Sequence, residues 1–465
     1  MRIGTLLLLN SALIVNSIAI AAPNLPDGLN SSGITMPSLP EGLLKPPSQA
    51  PDHIQAPKQQ KPTHNTSPLN ISGFWDYRVG IRTQQDPNES QQSLHEMRLQ
   101  LALQKEIAST VINITADFLA DSTSSQHAVD LENGQGWIDL REANIVISPL
   151  SYMDLKLGRQ ILTWGTGDLI FINDLFPKDW QAFFIGRDLE YLKAPSDAIK
   201  ASFFSDYVNL DIAYTPQFDA DRSISGDKLS YYSPLSNSFV GDQHIIKPDK
   251  PHADEIALRL YKNIGTNELA LYAYHGFWKS PVGFDPINNT HRYPALRSVG
   301  ASLRTPLWQG ISNIELGYYD SYEHAARDNP FTPNSEARLL MGYEQELIQN
   351  LTISVQYYAE WMQHYDHYKA SMELIGAKSK REEMRHVLTN RISLRTHQQN
   401  IVWSLFTFYS PTDNDGYVRP NIHYNYSDSW SLEAGGNFFI GQKESTFFAQ
   451  FQKNNNLYAS IRYGF

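Results

Sequence analysis

The densest set of chemically useful side chains lies between Gly165 and Glu190. Asp168, Asp174, Asp179 and Asp188 are interleaved there with Lys178 and Arg187, among Leu169, Ile170, Phe171, Ile172, Phe176, Trp180, Phe183, Phe184 and Ile185. Gly165-Thr166-Gly167-Asp168 permits a sharp turn, because glycine tolerates positive φ. The stretch carries more apolar surface than a solvated loop tip should. Two placements would cover it. It packs on an outer rim or a neighbouring subunit, or it folds into an enclosed aqueous space. In the second case the apolar side chains anchor on a wall, and Asp168, Asp174 and Asp179 line a constriction. Arg78, Arg82, Arg98 and Arg462 are the cations expected to face them. The chemistry of such a set is electrostatic: opposed charged walls order dipolar solutes and select ions. The alternative is that each arginine pairs with a nearby carboxylate.

Covalent chemistry has no comparable footing. The chain holds no H-E-x-x-H, no G-x-S-x-G, no P-loop and no G-x-G-x-x-G in a βαβ setting, so no enzyme is expected. His364, Asp366 and His367 are near one another but lack a further ligand, and read as an ordinary exposed loop; no metal or cofactor is expected. With no cysteine in 465 residues, disulfides, thiolate metal sites and a cysteine nucleophile are excluded. A net charge of −11 without a basic patch argues against a nucleic-acid partner.

The elements that must position these residues are strands. Ile71, Gly73, Trp75, Tyr77, Val79 and Ile81 alternate with Ser72, Asp76, Arg78, Gly80 and Arg82. Leu351, Ile353, Val355, Tyr357, Ala359 and Trp361 alternate with Thr352, Ser354, Gln356, Tyr358 and Glu360, and the chain closes the same way through Ile461, Tyr463 and Phe465. Period two marks strands with one apolar and one polar face. Many runs exceed the usual length of about 5–6 residues and match the roughly 9–11 tilted residues that cross a bilayer. Connections alternate between tight turns, such as Ser205-Asp206, and long loops, among them 164–189, 216–253 and 363–383. The expected fold is all-β, a transmembrane antiparallel barrel of about 18 strands, within the 16–18 range that leaves an aqueous lumen. Its domain is residues 70–465, its sixth strand is drawn over 190–204, and Trp75, Tyr214, Trp278, Trp308, Trp361, Trp403, Trp430 and Phe465 are expected at its interfaces.

Residues 1–21 read as a signal peptide: Arg2, an apolar stretch, then Ala19-Ile20-Ala21 as a cleavage site. Residues 22–69 contain ten prolines and no net charge, the composition of a disordered periplasmic tail. Within it Pro23-Asn24-Leu25-Pro26-Asp27-Gly28-Leu29 recurs as Pro37-Ser38-Leu39-Pro40-Glu41-Gly42-Leu43. This is either compositional drift or a duplicated motif in which Leu25, Leu29, Leu39 and Leu43 dock a periplasmic protein partner.

The terminal Ile461-Arg462-Tyr463-Gly464-Phe465 resembles the carboxy-terminal strand that outer-membrane assembly machinery reads, with Phe465 as the assembly signal. Leu157-Gly158-Arg159-Gln160, followed by Trp164-Gly165 and a long loop, resembles Gram-negative porins of the alginate-export and phosphate-selective group; the likeness covers some 30 residues and leaves the substrate open. The resemblance implies a barrel in the cell outer membrane, in contact with lipid; the width of about 18 strands makes passive diffusion of small hydrophilic solutes the expected function, and the residues of 165–190 make that loop the expected narrowing of the lumen. The other expectation is a barrel that sheathes or docks a periplasmic partner in an export or electron-transfer complex.

Overall fold

The computed structural model describes residues 69–465 apart from 125–126, 234–235, 242–246, 324–328 and 378. The expected signal peptide, residues 22–68 of the proline-rich tail and the docking candidates Leu25, Leu29, Leu39 and Leu43 lie outside the described residues.

The chain forms β1 (Asn70–Arg82), β2 (Gln92–Ile107), β3 (Thr110–Asp121), β4 (Ile138–Leu150) and β5 (Met153–Ile161), then a short helix α1 (Trp180–Ile185). Next come β6 (Pro195–Phe203), β7 (Asn209–Thr215), the small hairpin β8 (Tyr231–Ser233) and β9 (Ser238–Val240), β10 (Glu255–Ile264) and β11 (Asn267–Phe277). A second small hairpin, β12 (Gly283–Asp285) and β13 (Thr290–Arg292), precedes β14 (Ala295–Leu307), β15 (Gly310–Asp320), β16 (Glu336–Ile348) and β17 (Leu351–Met362). Helix α2 (Tyr365–Leu374), β18 (Met384–Thr396), β19 (Ile401–Ser410), β20 (Asp415–Asn425), β21 (Trp430–Gly441) and β22 (Asn456–Gly464) complete it.

Leaving out the two small hairpins, 18 strands form one sheet. Each pairs antiparallel with its sequence neighbours, and β1 pairs with both β2 and β22, so the sheet closes on itself. Closure satisfies every strand edge, which an apolar surrounding demands because unpaired backbone groups there cost several kcal/mol each. The seam registers Phe74 with Gly464 and Arg82 with Asn456. Gly73 and Phe465 extend it by a reciprocal pair of backbone hydrogen bonds, both 3.0 Å.

The two faces separate by polarity. On β15, Glu315 is 1% exposed and its neighbour Leu316 is 52% exposed. The outer face presents Val79, Met97, Ile145, Leu271, Val299, Met341, Val355, Leu388, Ile440 and Leu457. Exposed Tyr207, Trp308, Trp403, Tyr426, Trp430, Tyr463 and Phe465 gather toward the short-turn rim, and Trp137, Tyr214, Trp361 and Tyr409 toward the other. An apolar band between two aromatic girdles is the surface that a bilayer contacts, and the barrel is a transmembrane one.

Three expectations change. Residues 189–192 form a 3-10 turn, capped by the Asp188 side chain on the Glu190 N–H (3.3 Å), so the sixth strand begins at Pro195 and not at 190. Trp278 is buried against Tyr319 with ring centroids 5.5 Å apart, not at an interface, because it follows the last paired residue of β11 and turns inside. On the long-loop rim, β19 and β20 are joined by only four residues, Pro411 to Asn414.

One prediction arises from the seam. Phe465→Asp places a charge on an exposed girdle position beside Tyr463, where ionised groups near the interface cost about 0–1 kcal/mol. The barrel is expected to refold in detergent with native heat-modifiable migration, whereas its amount in the outer membrane of cells drops. Undiminished cellular levels would remove the assembly role from this residue.

Candidate functional site

Residues 162–194 connect β5 to β6, and their contacts fall on the barrel face opposite the exposed apolar side chains. The connection leaves β5 through Leu162 and Trp164, which are buried, and turns at Gly165, with φ of 87°. The turn is held by one carboxylate. Glu315 on β15 accepts from the backbone N–H groups of Thr166, Gly167 (2.8 Å) and Asn173 (3.3 Å), from the Thr166 hydroxyl (2.9 Å) and from the Asn173 amide (2.9 Å). A Cβ at Gly165 would stand 3.2 Å from Glu315 Oε1, which explains a small residue at the turn. Charge-assisted bonds of this kind are roughly twice as strong as neutral ones. Beside it, Asp168 forms a bidentate pair with Arg391 on β18 (2.5 and 2.8 Å), and Gln356 on β17 exchanges two bonds with the Asp168 backbone.

The middle of the connection is tied to the β7–β10 connection, where Asp221 accepts from the Lys178 N–H (2.8 Å) and the Trp180 indole (3.2 Å). Asp174 pairs with Lys178 at 3.0 Å, and both are buried. Asp179 caps α1 by accepting from the Ala182 N–H at 2.7 Å, and also meets Arg222 at 3.5 Å. The helix ends at Gly186 in the left-handed region, φ 96°, with Tyr458 where a Cβ would go. Its Phe183 and Phe184 pack into an aromatic bed of Tyr417, Phe439 and Phe451, with centroid spacings of 5.0–5.6 Å. Phe448 and Phe451 reach this bed from the β21–β22 connection.

The last part returns along the seam. Arg78 donates to the Gly186 carbonyl and to Glu433, both at 2.8 Å. Arg187 pairs with Glu96 at 2.5 Å, and Arg98 holds Glu96 (2.6 Å) and Asp117 while lying 4.0 Å from the Tyr191 ring centroid. Arg462 contacts Asp76 (3.1 Å), Asp188 (3.4 Å) and Glu190 (3.2 Å). Asp188 and Glu190 thus share one guanidinium. Burial opposes ionisation of both; Arg462 and Arg78 nevertheless hold the Asp188 carboxyl below its usual range, and burial with the adjacent Asp188 charge pushes Glu190 above its own. As pH falls, Glu190 therefore takes its proton first. The expected result is a mild-acid step in reversal potential toward anions, as one negative charge disappears. It should be absent in Glu190→Gln, and its persistence there would assign it to another group.

Of the residues expected to form a constriction, the structure brings Arg78, Arg98 and Arg462 onto this connection, but against Gly186 to Tyr191 and not against the three aspartates. Asp168 finds Arg391 instead, because the Gly165 turn reaches β15 to β18 while the other end returns to β1, β2 and β22. Asp174 and Asp179 are buried, the first paired with Lys178 and the second meeting Arg222 of the β7–β10 connection. Arg82 bonds the Lys228 carbonyl (2.5 Å) and Gln92 carbonyl (3.1 Å) and lies 3.6 Å from Glu89. Arg159, within the stretch that resembles one porin group, binds Asp197 at 2.9 Å and the Leu131 and Leu140 carbonyls. Glu315 is not among the residues expected at the constriction. Its weight comes from donors about 145 residues away.

No family model matches the chain and no curated protein does. Solved structures similar in fold include Acinetobacter baumannii OccAB3, at 11% identity and a TM-score of 0.52 over 85% of this chain and 98% of that one. Pseudomonas aeruginosa OccD3 (OpdP) gives 10%, 0.49, 85% and 91%, and Salmonella typhi OmpF in complex with daunomycin 10%, 0.42, 85% and 97%. The fold is that of outer-membrane barrels, and its apolar outer band is the surface that faces lipid in such a barrel.

Proposed function

We propose that this barrel is a non-enzymatic channel for passive diffusion of small hydrophilic solutes, narrowed by Gly165–Glu190 running across its lumen. A barrel of 16–18 strands leaves an aqueous channel unless something folds inside. The observation carrying the proposal is that this one connection bonds polar-face residues around most of the wall: Arg78, Glu96, Glu315, Gln356, Arg391 and Arg462. Asp168 and Arg391, at 20% and 21% exposure, and Asp188, Glu190 and Arg462 remain partly open to water and would border the passage.

Purified barrel in a planar bilayer tests this. The expected result is stepwise, ohmic conductance. A silent bilayer would favour the second reading, a sealed barrel that docks a periplasmic partner, which the apolar packing around α1 supports. In that case Leu25, Leu29, Leu39 and Leu43, all changed to Ser, should abolish co-purification of the partner without altering barrel refolding. Resemblance to alginate-export and phosphate-selective porins is compatible with either and assigns no solute.

A further inference from the structure

We infer that the narrowest part of the passage is apolar, and that it favours solutes carrying an aromatic or branched apolar group next to a charged head. This rests on the channel reading. It departs from a constriction made of carboxylates.

Exposure of the polar-face side chains carries the inference. At the height of the 162–194 connection the wall itself is covered: Tyr272, Ser302, Leu340, Tyr358, Tyr417, Arg98 and Asp117 are each less than a tenth exposed. A solute therefore meets the connections, not the wall. The half-buried side chains of those connections include Leu169, Ile170, Phe171, Trp180, Leu189 and Ile224, all lying against the buried apolar cluster. Of their carboxylates, Asp174 and Asp179 are buried and paired, and Asp168 stays partly open beside Leu169 in its pair with Arg391.

Leu169 adds an independent observation. Its φ is +59°, a left-handed conformation that a leucine adopts only at a steric cost and that Asn or Gly adopts readily. Strained backbone of this kind concentrates where a side chain is needed for function. Two residues on, Phe171 is set edge-on to Trp180 at 6.1 Å, with the Lys178 ammonium 4.7 Å from its ring centroid. Apolar side chains bordering the passage would resist wetting, which restricts small ions, and would lower the transfer cost of an apolar group in transit. The half-open charges of Asp168 and Arg391 flank them and offer partners to a zwitterionic head.

Swelling of proteoliposomes with glycine and with phenylalanine tests this, both solutes being zwitterions. Sieving by size alone makes phenylalanine slower. The apolar passage predicts that phenylalanine enters at least as fast as glycine. In Leu169→Asn, which suits the left-handed backbone and should not impair folding, the phenylalanine-to-glycine ratio is expected to fall about fourfold, the factor for one CH2 group of apolar transfer. Single-channel conductance should rise in the same variant. Phe171→Ser should act in the same direction. A wild type slower for phenylalanine, or a ratio and conductance unmoved in both variants, overturns the inference while leaving a conducting barrel. A wild type that admits neither solute and carries no current overturns the channel reading itself.

Discussion

Removing residues 169–184 is expected to raise single-channel conductance several-fold while the barrel remains intact. The 18 strands are held by a closed backbone ladder to which these residues contribute nothing. What they fill is the space in front of Tyr319, Leu340, Tyr417 and Phe439. Without α1 the aromatic bed loses Phe183 and Phe184, and water should reach the polar face of β15 to β21. Ion selectivity should weaken as well, since Asp168 and Arg391 would border a wider, better-screened path; the Debye length is only about 3 Å at 1 M salt. The measurement is conductance in planar bilayers, with heat-modifiable migration to verify folding. Conductance equal to wild type would mean that the connection does not limit the passage.

The second large effect is expected at Glu315. Replacing it by Leu removes the acceptor of the half-buried Thr166 and Gly167 N–H groups and of the buried Asn173 N–H, and leaves the Asn173 amide only its longer bond to the Ala301 carbonyl (3.4 Å). Each buried unsatisfied group costs roughly 1–3 kcal/mol, so the local opening free energy of 163–173 should drop by about 3 kcal/mol or more. Limited proteolysis should then cut within this stretch, and current through single channels should flicker. Glu315→Gln keeps one acceptor oxygen and should give a weaker form of the same behaviour. Global unfolding of the strands should hardly change, because the lost bonds belong to the connection. A variant as resistant to protease as wild type would show that the aromatic bed alone pins the turn.

Much of the scaffold was legible because alternation is a local property. A run such as Leu351 to Trp361 declares its two faces without any knowledge of its neighbours, and β17 covers Leu351–Met362. The misplaced start of the sixth strand has a local cause too. The expected strand starts at 190, but Tyr191 lies between Arg98 and Arg141, with guanidinium distances of 4.0 and 4.9 Å, and Leu189–Leu192 form a 3-10 turn there. Partners of the site were not legible. Asp168 is 223 residues from Arg391 and Arg187 is 91 from Glu96; nothing in either stretch announces the other. Likewise, Phe448 and Phe451 read as residues of a long loop, although they complete the bed beneath α1.

Closure through β1 and β22 also imposes an order of events. Arg462 and Asp76 are 386 residues apart, and contacts of such separation are slow to form because loop entropy must be overcome before they reward the chain. The return arm Arg187 to Glu190 takes its ties from Glu96 and Arg419 and from Arg462, on strands at both ends of the chain. Until the last hairpin arrives, α1 has no Tyr458 behind Gly186 and no Phe439 or Phe451 beside Phe184. The helix and the return arm would thus settle after the Gly165 end, which β15, β17 and β18 hold without the last hairpin. A partly assembled chain would carry its aromatic helix uncovered, a feature by which folding factors could tell an unfinished barrel from a finished one.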